Sequence, residues 1–436
     1  MSAATRIVRS FGSGNQKKWT MSFWMKVSRI NYTDGGGGNS RQVFGQTLSN
    51  YCRFIITGST QKIQFYESQG MDLRPSMVFR DFNAWYHIVV AVDTAQATAA
   101  NRVKIYVNGV QQTAFDTETY PAQNADLHFN KSGTHEFGGS SAYGGYDYFN
   151  GLLSHVHFSD GYAYAASDFG STDSTTGEWQ INTSPSFTLG TNGFTILKDG
   201  NTITDQSSNS NDFTVSTGTL TKTEDCPSNV FCTLNFLSTD SGVTLSSGNT
   251  ESDYDGSVGH AKGTLGFSSG KFYWEVKIAT AASNYPMLGI GNLDTANMQK
   301  PTGGSYPGGF AGSYGAYGNG NVYANGSNTG SQGFTWATND IIGIAVDLDS
   351  GTKTIKWYKN GNATAIASTN ITTDGPFASM DYNGGEAAVN LQYNFGNGYF
   401  GTTAVSSAGT NASGNGIFEY DVPTGYTALS TKGLNL

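Results

Sequence analysis

Alternation of apolar and polar residues dominates the chain and predicts β-strands. Over residues 20–27, Met21, Phe23, Met25 and Val27 share one face. Over 85–93, Tyr86, Ile88, Val90 and Val92 do the same. Over 271–278, Phe272, Trp274, Val276 and Ile278 alternate with Tyr273, Glu275 and Lys277. Each stretch reads as a half-buried strand that covers one side of a core. No stretch carries the 3.6-residue period of an amphipathic helix.

An internal echo sets the domain count. The run Ile88 to Asp93 leads through a polar loop to Val103–Val107 and the turn Asn108-Gly109. The run Ile341 to Leu348 leads through Asp349-Ser350-Gly351 to Thr354–Lys359 and the turn Asn360-Gly361. Asn-Gly supplies the positive φ angles of a tight hairpin. The two turns lie too far apart for a short solenoid repeat, so one hairpin type is used in two domains. The expected organisation is all-β: two antiparallel β-sandwiches over residues 1–170 and 256–436. Residues 171–255, rich in Ser, Thr, Asn and Asp, are expected to form a polar connector with a few strands.

Composition supports short strands joined by tight turns. Glycine occurs 57 times in 436 residues, about twice the usual share of roughly 7%. Charged residues make up only 13% and aromatics 13%. A net charge of −9 and the lack of a basic run beyond Lys17-Lys18 exclude a nucleic-acid partner. No apolar stretch is long enough to enter a bilayer as a helix, and residue 1 opens no signal-peptide pattern. Cys52, Cys226 and Cys232 are an odd count and read as reduced thiols, although Cys226 and Cys232 are close enough in sequence to pair.

Several segments resemble a known combination of modules. Residues 19–27, 79–89, 101–111 and 151–161 are similar to the concanavalin A-like lectin/glucanase domain, of laminin-G and pentraxin type, found in phage structural proteins. Gly270 to Val276, Leu288 to Gly291, Ile342 to Asp347 and Ile355 to Gly361 resemble a SPRY domain. Residues 169–173, 190–194 and 207–213 are similar to stretches that join these modules in phage tail proteins. The resemblance implies jelly-roll sandwiches and a bacteriophage virion protein, a tail fibre or surface adhesin that binds host-surface glycan or protein. The alternative is a purely structural decoration or appendage protein with no host ligand. It further implies other virion proteins as partners, a virion location after synthesis in host cytoplasm, and a homo-oligomer, a trimer in a fibre. Resembling phage proteins carry an anchor before the first lectin strand; here that strand starts near Met1, so attachment through the sandwich surfaces is also expected.

The candidate chemistry is binding. Resembling glucanases take their acids from one Glu-x-Asp-x-x-Glu strand; Glu251-Ser252-Asp253 lacks the final Glu, and Glu419-Tyr420-Asp421 has no third acid. No enzyme activity is expected. His155 and His157, with His87, have metal-ligand chemistry, but alternation already explains the pair as a polar outer face opposite Val156 and Phe158. No cofactor is expected, with calcium left open because relatives of this fold use it; Asp147, Asn150, Asp160 and the string Asp347 to Gly351 offer oxygens that turn chemistry also explains. Sugar binding needs an aromatic face beside amide or carboxylate groups. Two loops carry that mixture: Tyr143, Tyr146, Asp147 and Tyr148 in the first domain, Asn284 and Tyr285 in the second. Tyr314, Tyr317 and Tyr323 read as strand residues.

Overall fold

The computed structural model describes residues 5–28, 40–46, 52–57, 60–81, 84–141, 147–198, 202–281, 286–299, 305–385 and 388–435. Among them the only α-helix is the single turn Ala296–Gln299. The chain divides into two compact units between Lys222 and Thr223. Each is an antiparallel β-sandwich.

In the first unit the described residues form an eight-stranded sheet. Its order is Phe115–Thr119, Met71–Pro75, Lys62–Glu67, Cys52–Thr57, Ser40–Gln46, Gly133–Phe137, Arg6–Phe11 and Thr214–Thr217. It faces a six-stranded sheet ordered Phe194–Ile196, Gly151–Asp160, Lys18–Val27, Trp85–Asp93, Val103–Val107 and Val110–Gln111. Alternation decides which side chains enter. Trp19, Met21, Phe23 and Met25 point inward with Ile88, Val90 and Val92, all buried. They meet aromatics of the other sheet: Phe23 lies 5.7 Å from Phe44 and 5.6 Å from Phe54, ring to ring.

The second unit repeats the plan. One sheet runs Val243–Ser246, Glu251–Tyr254, Val389–Asn394, Lys271–Ala281, Ile341–Asp347, Thr354–Lys359 and Ala367–Asn370, with Thr427–Ala428 parallel to Lys271–Ala281. The other runs Val258–Lys262, Phe377–Gly384, Met287–Asn292, Ser313–Tyr317, Asn321–Ala324 and Ser327–Ser331. Trp274, Trp336 and Trp357 lie in the core between them.

The hairpin echo is faithful at atomic detail. Asn108 and Gly109 have φ of 46° and 79°, and Asn360 and Gly361 have 50° and 72°. The Asn108 side chain accepts from the N–H of His87, and Asn360 from that of Ile341, both at 2.8 Å. A Cβ on Gly109 would stand 2.4 Å from the Trp179 ring, and one on Gly361 2.4 Å from the Tyr420 ring. Glycine is thus required twice over, by backbone angle and by the aromatic covering the turn.

Residues 171–255, expected as a connector, are divided between the units. Phe194–Ile196 pairs with Gly151–Asp160 and Thr214–Thr217 with Arg6–Phe11, while Val243–Ser246 and Glu251–Tyr254 belong to the second unit. Three of these four are edge strands, which need few apolar residues. Those few are plugs: Phe213 lies 4.8 Å from Phe194 and 5.7 Å from Phe137. Cys52, Cys226 and Cys232 are free thiols.

Phe44 is fully buried and contacts Phe23, Phe54 and Phe129. Phe44→Ala is expected to destabilise the first unit by about 3–5 kcal/mol, read as a lower urea midpoint for that unit.

Candidate functional site

A recess in the first unit lies on the outer face of its six-stranded sheet. It is a cleft of about 330 Å³ lined by Lys18, Ala91, Asp93, Gln96, Asn101, Lys104, Tyr106, Ala163, Tyr164 and Ala165. Its floor follows from strand alternation. With Val90, Val92, Val103 and Ile105 inward, Ala91, Lys104 and Tyr106 must point outward, and Ala91 pairs with Lys104 across the ladder. One wall is the loop after Asp93. The Arg102 guanidinium holds it by donating to the carbonyls of Gln96, Ala97 and Pro121, each at 2.9 Å. The opposite wall is residues 163–165. The Thr20 hydroxyl donates to the Tyr162 carbonyl at 2.8 Å and accepts from the Tyr164 N–H at 2.8 Å. Ala91, Ala163 and Ala165 leave the space open because they carry so little bulk.

Charge inside the cleft is uneven. Lys18 is paired with Asp93 at 3.2 Å, and Gln96 donates to the same carboxylate at 2.9 Å. Burial pushes the Asp93 carboxyl up, but bonds from Gln96 and Lys18 outweigh it and hold the group below its ordinary range. Among the described residues Lys104 has no partner, and neither the Tyr106 hydroxyl nor the Asn101 side-chain amide is hydrogen-bonded. Two tyrosine side chains, an amide and one unmatched cation therefore line one space.

The residues expected to bind are placed differently. Tyr143, Tyr146, Asn284 and Tyr285 lie outside the described residues. Asp147 is buried at φ 67°, its carbonyl accepts from the Gln42 N–H at 2.8 Å, and its carboxylate lies 4.0 Å from Arg53. Tyr148 is half-buried, and its ring lies so close to Gly139 that a Cβ there would stand 2.7 Å away. Both are held against the strand Ser40–Gln46 rather than offered on a free loop. The carboxylates of Asp160 and Asp347, candidates for calcium, are likewise engaged. Asp160 accepts from the Asn15 N–H, the Asn130 amide and the Asn192 N–H at 2.8, 2.6 and 3.1 Å. Asp347 accepts from Lys271, Asp349 and Ser350, bonds that overcome burial and draw it down to about 2. Among the described residues no cluster of three His, Cys, Asp or Glu side chains could hold a metal.

The candidate acids Glu251, Glu419 and Asp421 are turn fasteners. Glu251 accepts from Ser246, Ser247, Asn390 and Gln392 at 2.8–3.3 Å. Glu419 receives Ser406, and Asp421 receives Thr410. In the second unit Tyr314 is a core residue whose hydroxyl accepts from the N–H of Thr372 and Thr373. Tyr317 and Tyr323 are half-buried strand residues, as expected.

Residues 5–168 match the family model of the concanavalin A-like lectin/glucanases superfamily, and residues 271–397 match the SPRY domain model. The chain carries a concanavalin A-like domain followed by a SPRY domain. Both are kinds of domain that typically bind rather than catalyse. A search of curated proteins gave no significant match. Among solved structures, the SPRY domain of human HERC1 is 14% identical with a TM-score of 0.31, spanning 37% of this chain and 96% of that one. The TRIM65 PSpry domain is 15% identical, TM-score 0.31, over 37% and 89%. Stonustoxin is 15% identical, TM-score 0.31, over 37% and 28%.

The SPRY domain carries the same hairpin without this opening. Lys271 and Asp347 pair as Lys18 and Asp93 do, and Ala345 pairs with Lys356 as Ala91 does with Lys104. There, however, Ala345 is buried in a cluster with Phe418, Val422 and Ala428, and Phe418 packs 5.1 Å from Tyr273. The lectin-like domain passes small residues over this position; the SPRY domain passes large ones. Alternation could have shown Lys104 and Tyr106 as outward-facing, but not what crosses above them.

His87 and His157 of the lectin-like domain are also outward-facing, yet buried. Residues 164–187 cover them: Phe169 stacks 5.9 Å from His157, and Trp179 5.9 Å from His87. The strand bulges between Ser154 and His157, with His155 at φ 47°. Trp179 donates to His87 Nδ1 at 3.0 Å. An indole N–H only donates, so the His87 proton sits on Nε2 and is given to the Ser22 hydroxyl at 2.9 Å. Burial first, and then the neighbouring His155, hold His87 and His157 down at about 3. Burial holds His135 at about 3 as well. These values lie below the ordinary 6.5, so between pH 6.5 and 3 the unfolded chain takes up protons that the folded domain refuses. Stability is complete above that window and falls as pH drops through it, by about 2 kcal/mol per histidine at pH 5. Glu67 and Glu136, raised by burial, act in the opposite sense. Thermal denaturation from pH 7 to 4 should show this slope for the lectin-like domain, and His157→Gln should flatten it.

Proposed function

We propose that the chain is a non-catalytic adhesin of a bacteriophage particle, holding a host-surface glycan in the cleft of its lectin-like domain. The observation that carries this reading is the cleft itself. It is preorganised by Arg102 and Thr20, walled by Tyr106 and Tyr164, and supplied with unbonded polar groups. A pyranose can lay its apolar face on a tyrosine ring while its hydroxyls meet Asn101 and Gln96. Its size falls at the lower end of the roughly 300–1,000 Å³ usual for small-ligand sites. The absence of catalysis is supported by Glu251, Glu419 and Asp421, whose oxygens are committed to turns. The virion setting is supported by the order of the modules, which resembles phage tail proteins. Repetition in a symmetric oligomer, a trimer in a fibre, would turn a weak site into firm attachment.

Ala163 is exposed at the rim, so Ala163→Trp should fill the cleft without disturbing the core. Purified protein is expected to adsorb to host cells and block infection. The variant should keep its melting temperature and lose adsorption by tenfold or more, the scale of about 2 kcal/mol for a central contact. Unchanged adsorption by the variant would move the site elsewhere. No adsorption by the unaltered protein would favour a purely structural virion role.

A further inference from the structure

We propose that Lys104 makes the cleft selective for an acidic sugar, a pyranose whose carboxylate sits on the Lys104 ammonium while its ring lies against Tyr106 and Tyr164. This rests on the reading of the cleft as a glycan site and names the class of glycan. The charges lining the cleft do not cancel: Lys18 and Asp93 neutralise each other at 3.2 Å, and Lys104 remains. The local excess of one positive charge stands out on a chain of net charge −9. Asp168, whose charge bears on the Tyr106 hydroxyl, accepts from the Ala165 N–H at 2.9 Å and does not line the cleft. Lys104 is half-buried and has no counter-ion among the described residues, so a ligand carboxylate placed in the cleft would supply a charge-assisted hydrogen-bond partner for its ammonium. Lys104 is also anchored at its backbone: it stands between the buried Val103 and Ile105, in register with Ala91. A neutral sugar would leave that cation unmatched.

The test uses the full chain and two acidic probes, oligogalacturonate and sialyllactose, each compared with its methyl ester. The esters keep the rings and remove the charge. Calorimetric titration should show at least one acid binding about tenfold or more tighter than its ester. Lys104→Gln should erase that difference, while Lys104→Arg should restore most of it. Lys356→Gln, at the same register position in the SPRY domain, should change nothing. Equal binding of acid and ester, both abolished by Ala163→Trp, would overturn the acidic preference and keep the glycan site. An acid preference that survives Lys104→Gln would assign the carboxylate to another group and overturn the role of Lys104. Binding of none of the four probes would overturn both readings.

Discussion

Burial of one aromatic face of each sheet against its partner is the constraint on which the rest depends. A strand turns alternate side chains to opposite faces, so committing Met21, Phe23 and Met25 to the core commits Thr20, Ser22 and Trp24 to the other side. The same step that places Ile105 against the core places Lys104 and Tyr106 outside. A slip of one residue would exchange the two sets completely. The nine-residue ladder from Lys18↔Asp93 to Lys26↔Trp85 fixes the register over the whole length of the paired strands.

The outer faces then need their own cover, and the two domains solve this differently. In the lectin-like domain residues 164–187 lay Ala166, Phe169 and Phe187 over Val89 and bury the histidines. In the SPRY domain Phe418 and Val422 cover Tyr273 and Ala345. Each cover places an aromatic ring on an Asn-Gly turn, Trp179 on one and Tyr420 on the other. The difference that matters for binding is local. Where the SPRY cover fills the position above Ala345, the lectin-like cover offers Ala163 and Ala165 beside Ala91, and a cleft remains.

Buried polar groups give the SPRY domain its internal fasteners. Asp381 is fully buried and accepts from Tyr254, Tyr393, Ser252 and the Ala261 N–H. Burial raises its pKa, and the four bonds oppose that rise. Glu275 is raised to about 7 by burial while it receives the N–H groups of Glu419 and Tyr420. That carboxylate ties the covering segment to the central strand, next to the ring contact of Tyr273 with Phe418. Removing either acid would leave several buried donors without a partner, a larger cost than the bonds themselves contribute.

The sequence by itself determined the all-β class, the strands at 20–27, 85–93 and 271–278, the twin Asn-Gly hairpins and the two sandwiches. These follow from period-two alternation and turn chemistry, which act over a few neighbouring residues. The same alternation over Val103–Val107 could have shown that Lys104 and Tyr106 face away from the core. Only the tertiary structure decided what lies above them, because Ala163 and Lys104 stand far apart in sequence and meet through the Thr20 bonds to residues 162 and 164. The same holds for the polar stretch 171–255: its strands are completed by distant edges, so their pairing is invisible in local composition. It holds again for Asp147, Asp160, Asp347 and the histidines, whose residue types suggest ligands. Their actual donors and covers come from elsewhere in the fold, and the low-dielectric contacts so formed commit their lone pairs before any ligand arrives.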